Sequence, residues 1–97
     1  MKPPVFRAAA AADVEEAYRW YEGQRRGLGD EFLASVQAAL DSILDHPEVA
    51  PILHKGTRRL LVRRFPYGVH YRLVKGQVVV VACFHAKRNP RVWRTRR

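Results

Sequence analysis

Cysteine is almost missing from this chain of 97 residues: Cys83 stands alone. No intramolecular disulfide can form, and the sequence is not built around an oxidising compartment. Long apolar stretches are missing too. The longest uninterrupted run, residues 78–84, falls far short of the roughly 20 residues that span a bilayer. Met1-Lys2-Pro3-Pro4 leads into no signal-peptide core, because Arg7 and Asp13 interrupt any apolar stretch. The expectation is a cytoplasmic protein without a membrane partner.

The most informative absence is acidic. Residues 49–97 carry 13 Lys and Arg and not one Asp or Glu, whereas residues 1–48 carry five basic side chains and all nine acidic ones. The two halves therefore hold charges of +13 and −4 within a net charge of +9. A cationic half without internal counter-charge calls for an external anion, either a polyanion or an acidic protein partner. Hydrophobic residues at 47% and charged residues at 28% belong to a folded chain, and the length suits one domain over 1–97.

Chemical motifs are equally sparse. There is no CxxC or HExxH, and His46, His54, His70 and His85 have neither ligand spacing nor acidic neighbours, so no metal site and no cofactor is expected. Gly27-Leu28-Gly29 is too short for a phosphate loop and reads as a turn between helices. Ser35 and Ser42 both fall inside a helical pattern, which disfavours a Ser/His/Asp hydrolase.

What is present sorts into elements. Residues 5–7 suit a short first strand. Val14, Ala17, Tyr18 and Tyr21 then recur at helical spacing, and Gly27 and Gly29 end that helix. A second helix from about Asp30 to His46 carries the stripe Phe32, Leu33, Val36, Leu40, Ile43 and Leu44, and Pro47 stops it. The short link makes the pair an antiparallel hairpin. An irregular connector follows to Pro51. Beyond Gly56 come three strands over residues 59–65, 69–74 and 77–85, with a tight turn at Lys75-Gly76 and another turn at Pro66-Tyr67. Pro90 is placed to start a short final helix bearing Trp93 and several arginines. The fold class is α+β: a short N-terminal strand, a helical hairpin, a three-stranded antiparallel meander and a basic C-terminal helix.

A tight turn at Lys75-Gly76 pairs Val74 with Gln77, Arg72 with Val79 and His70 with Val81. Val69, Tyr71, Leu73, Val78, Val80, Ala82 and Phe84 then face the helices, and His70, Arg72, Val79, Val81, Cys83 and His85 face away. Leu61, Arg63 and Phe65 would join this second face, whose mixture of cations, imidazoles and apolar groups is that of a binding surface. Tyr18, Trp20 and Tyr21 read first as core or hairpin-packing residues. Trp93 either caps the core or stacks on a base or partner side chain.

Arg63, Arg64, His70, Arg72, His85, Lys87 and Arg88 remain as candidate chemistry. Cleavage of RNA by its own 2′-OH needs a base, an acid and cations facing the developing charge, and His and Arg supply these without a metal.

The order of elements resembles the RelE/ParE superfamily of bacterial toxin-antitoxin toxins. The residues that carry the resemblance start with Asp13-Val14-Glu15-Glu16-Ala17, Trp20-Tyr21-Glu22, and Gly27-Leu28-Gly29 with Phe32. Pro47, Pro51, Arg59 and Phe65-Pro66-Tyr67 with Tyr71 follow. Val79-Val80-Val81-Ala82, His85, Arg88, Pro90 and Trp93 complete the set. The resemblance implies a cognate antitoxin, often acidic, that wraps and neutralises the toxin in a hetero-oligomer. One branch cuts mRNA on the ribosome, and the other poisons DNA gyrase without that catalytic set. For the first branch the expected catalytic residues are His85, Arg63 and Arg88, with Arg64, Arg72, Lys87, Arg91 and Arg94 on RNA or phosphate. Arg72, Val79, Val81 and Trp93 are the expected antitoxin contacts. The C-terminal tyrosine of many RelE-like nucleases is missing, since no tyrosine follows Tyr71. Ribosome-dependent mRNA cleavage is the leading expectation, gyrase poisoning the alternative, and a domain that only binds an acidic partner the third.

Overall fold

A computed structural model describes residues 2–88 and 90–96. Strand β1 (Val5–Phe6) leads into helices α1 (Ala8–Gln24) and α2 (Leu28–Asp45). Strands β2 (Ile52–His54), β3 (Thr57–Leu61), β4 (Tyr67–Val74) and β5 (Gln77–His85) follow, and helix α3 (Arg91–Arg94) comes last. The strands form one sheet in the order β1-β5-β4-β3-β2, with β1 parallel to β5 and the other neighbours antiparallel. The α+β class and its meander hold, and the meander is extended by a strand on each side.

Helix α1 grows out of the alanines at its start, the residues with the best helix propensity, and buries Ala10, Ala17 and Tyr21. Gly27, with φ of 88°, makes the left-handed step into α2. The Glu22 carboxylate accepts the backbone N–H groups of Gly27 at 3.0 Å and Gly29 at 2.9 Å, satisfying donors that the start of a helix leaves open. A Cβ on Gly29 would sit 2.8 Å from the Tyr18 ring, so the close crossing of the helices there requires glycine. Helix α2 opens with Asp30 and Glu31 at its positive end and buries Phe32, Val36, Ala39, Leu40 and Ile43 against the sheet. The core below is aromatic: Tyr21 lies 4.8 Å from Phe65 and 5.2 Å from Phe32 between ring centroids.

Three features depart from the sequence expectation. The connector continues into β2, which pairs with β3 through Lys55-Gly56, with φ of 42° and 82°. This is the same dipeptide in the same left-handed geometry as Lys75-Gly76, at 50° and 78°. Strand β3 accordingly starts at Thr57 and ends at Leu61. A longer turn sends Phe65 into the helix-side core, not onto the second face.

The third departure is a bulge. Arg72 pairs with Val79 and Tyr71 with Val80, but His70 pairs with Ala82, leaving Val81 as the extra residue on β5. Since side chains alternate with period two, one extra residue reverses every face beyond it. Cys83 therefore joins the helix-side core, while Ala82 and Phe84 join Val79 and Val81 on the opposite face. That face is not open. Trp93 of α3 lies across it and completes a second small core with these four residues.

The C-terminal segment is held from the other side as well. Arg96 ion-pairs with Asp13 of α1, whose Oδ2 also accepts the Cys83 N–H at 3.0 Å.

Candidate functional site

The candidate residues gather where β5 ends and α3 folds back. His85 pairs with Tyr67 across the sheet, and its ring lies 5.5 Å from the Tyr67 ring. Its Nδ1 accepts the Lys87 backbone N–H at 3.1 Å, which places the proton of the neutral ring on Nε2. The Arg88 N–H donates to the His85 carbonyl at 3.0 Å, and the Arg88 guanidinium sits 4.6 Å above the Phe84 ring. His85 and Arg88 are thus neighbours, as expected. Their shared wall borders a cavity of about 410 Å³ beside α1, lined also by Glu16, Tyr21 and Tyr67. Trp20 borders it and is 59% exposed, so it is not the core residue its spacing predicts.

The other expected catalytic residue lies elsewhere. Arg63 lines a cavity between α2 and β3 with Ser35, Ser42 and Leu60, and the fold does not bring it to His85. Arg64 is engaged in an ion pair with Glu31 at 2.8 Å. Glu31 also pairs with Arg25, and these two hydrogen-bonded guanidiniums hold its carboxyl below the usual range. Arg72 braces the β2–β3 hairpin, donating to Thr57 Oγ1 at 3.1 Å and to the Lys55 carbonyl at 2.9 Å. Lys87, Arg91 and Arg94 are exposed around α3. Val79, Val81 and Trp93, the expected antitoxin contacts, are closed into the second core beneath α3.

Beneath α3 is a further cavity of about 220 Å³, lined by Arg59, His70, His85, Arg88, Trp93 and Arg94 among others. Arg59 and His70 are a register pair across β3 and β4. His70 is only 2% exposed, and neither ring nitrogen has a hydrogen-bond partner. Burial first, and the positive charge of Arg59 second, push it down to about 4; the Gly68 backbone opposes that shift without completing a hydrogen bond of normal geometry. Pairing Arg59 with His70 needs the β3–β4 register, which sequence spacing left open at the Pro66-Tyr67 turn.

Among the described residues, no group of three or more His, Cys, Asp or Glu side chains is arranged to hold a metal ion. Among the same residues no helix is long and apolar enough to cross a membrane. The Cys83 thiol, pushed up to about 12 by burial and then by Asp13, is no nucleophile near neutral pH.

Comparison with known proteins places these features in a family. No curated protein matches the chain. The fold is similar to a chain of the solved chromosomal ParDE TA system from P. aeruginosa, with a TM-score of 0.65 and 20% identity. That likeness covers 88% of this chain and 96% of the other. The family model of the ParE toxin of the type II toxin-antitoxin system, parDE, matches residues 5–90, which takes in α1, α2 and the whole sheet and stops just before α3. The chain therefore belongs to the ParE toxin family of type II toxin-antitoxin systems.

Proposed function

We propose that this ParE-type toxin inhibits growth in the cytoplasm by binding DNA gyrase, without itself breaking a bond, until a cognate antitoxin neutralises it. The observation that carries the reading is the ParE match over residues 5–90. The chemistry of the candidate site supports it. Acid-base cleavage of RNA needs two titratable groups near the scissile phosphate. Of the two histidines at the site, His85 is half-buried with Nδ1 already engaged, and His70 is buried and resists protonation. Among the described residues no carboxylate lines the cavity beneath α3, and the Asp13 and Glu16 carboxylates that share the other cavity with His85 and Arg88 belong to α1. A surface that binds and does not cleave needs only what is there: Lys87, Arg88, Arg91 and Arg94 displayed around α3.

Ribosome-dependent mRNA cleavage keeps one supporting observation, the adjacency of His85 and Arg88. It lacks Arg63, which faces α2, and a tyrosine beyond Tyr71. In the same proposal the antitoxin supplies carboxylates to the cationic half and reaches Arg72, Val79, Val81 and Trp93 by lifting α3, giving a hetero-oligomer. Conditional expression of the chain without its antitoxin tests the target. Gyrase-dependent DNA breaks with no new mRNA 5′ ends are the expected result, and new 5′ ends without breaks would replace this reading with the nuclease.

A further inference from the structure

The cavity beneath α3 has more positive charge than the fold uses. Among the described residues Arg59, Arg88 and Arg94 form no ion pair, although all three border one space of about 220 Å³. Arg88 and Arg94 rest on the faces of Phe84 and Trp93, which orients their guanidiniums without neutralising them. His70 at the same cavity is an imidazole with two unpartnered nitrogens in a protein interior, where a polar group without a partner is costly. Three cations without ion pairs and an unpartnered N–H around one concavity are the chemistry of an anion site.

We propose that this cavity binds a single phosphate group, held by Arg59, Arg88 and Arg94 with the His70 imidazole N–H as a fourth donor. Size argues for a group and not a whole nucleoside, since the cavity is smaller than the roughly 300 Å³ at which sites for drug-sized ligands begin. Base stacking is closed off, because Trp93 is buried with His70 against it and Arg94 over its ring. Between oxyanions, a carboxylate offers two oxygens and one charge, enough for one or two guanidinium forks. A phosphate offers three or more acceptor oxygens and up to two charges, which matches three guanidiniums and a neutral N–H. The side chains around His70 close its nitrogens from water, so the ligand reaches them as Arg59, the register partner of His70, turns onto the anion. The inference goes beyond the target assignment and does not depend on which target the toxin attacks.

Titration of the full-length chain, followed by the NMR signals of the Trp93 indole N–H and the His70 ring, tests it. Inorganic phosphate should produce saturable shifts of both, and acetate at equal ionic strength should not. Arg88→Gln/Arg94→Gln and, separately, Arg59→Gln should each weaken binding at least about tenfold. A dispersed Trp93 signal in each variant reports that the fold survives. An unphosphorylated oligothymidylate that competes for the site identifies a nucleic-acid backbone as the source of the phosphate. Saturation by inorganic phosphate without such competition identifies a free phosphate. Absence of saturable shifts, undiminished binding in all of the folded variants, or acetate binding as tightly as phosphate would each overturn the proposal.

Discussion

The His70 imidazole lies against the Trp93 indole, with ring centroids 4.3 Å apart and planes inclined by 41°. One residue belongs to the middle of β4 and the other to α3, so this contact joins the sheet to the C-terminal segment. It also fixes the protonation state of His70, because a charged imidazole would sit in an apolar interior beside Arg59.

Stability should consequently depend on pH. The unfolded chain protonates His70 near its ordinary 6.5, and the folded chain only at about 4. Between these values the unfolded state binds the extra proton, so this contribution is complete above about pH 6.5 and is lost as pH falls towards 4. The loss is on the order of 3 kcal/mol for a shift of that size. Urea unfolding of the parent chain and of His70→Phe measures it, since the variant lacks this slope. His54 is also shifted down, by desolvation and then Arg94, and its contribution is common to both chains and cancels in the comparison.

Trp93 closes the second core over Val79, Val81, Ala82 and Phe84. Trp93→Ala should cost about 3 kcal/mol, the usual loss for truncating a large buried aromatic. Amide exchange along β5 should quicken by a corresponding factor. Unchanged exchange at Val79 and Val81 would show that the indole does not cover them.

The Asp13–Arg96 pair should act through position as well as charge. Asp13→Ala removes the partner of a part-buried guanidinium and leaves the Cys83 N–H without its acceptor, so a loss of about 3 kcal/mol is expected. Asp13→Asn keeps an acceptor for that N–H and should lose less, about 1–2 kcal/mol. Denaturant midpoints of the two variants give the order.

Cys83 is buried in the helix-side core, and its thiol is pushed up to about 12. Iodoacetamide at pH 8 should leave the folded chain unlabelled and modify it fully in denaturant, as mass spectrometry would record.

These predictions rest on parts of the structure that were unequally visible in the residue order. Helices α1 and α2 were legible because their apolar residues recur at helical spacing, from Val14 to Tyr21 and from Phe32 to Leu44, and the Lys75-Gly76 turn because such a dipeptide between two apolar runs leaves few alternatives. Lys55-Gly56 carried the same signal and marks a strand that its exposed, three-residue length disguises. The bulge opposite Tyr71 and His70 has no local signature in a run as uniform as Val78-Val79-Val80-Val81. Missing it exchanged the faces of Ala82, Cys83 and Phe84. The cover that Trp93 provides is a contact between distant parts of the chain, and periodicity has no access to it. Arg63 went astray for a related reason: the turn after β3 is longer than two residues, and it carries the side chain towards α2.

The most direct test of a non-catalytic gyrase poison uses purified components. The chain is added to gyrase and relaxed plasmid, and supercoiling and trapped double-strand breaks are both scored, alongside His85→Ala and a ribosome–mRNA reaction. The account predicts blocked supercoiling and trapped breaks, the same for His85→Ala, and intact mRNA. Cleaved mRNA that depends on His85, with gyrase unaffected, would contradict it.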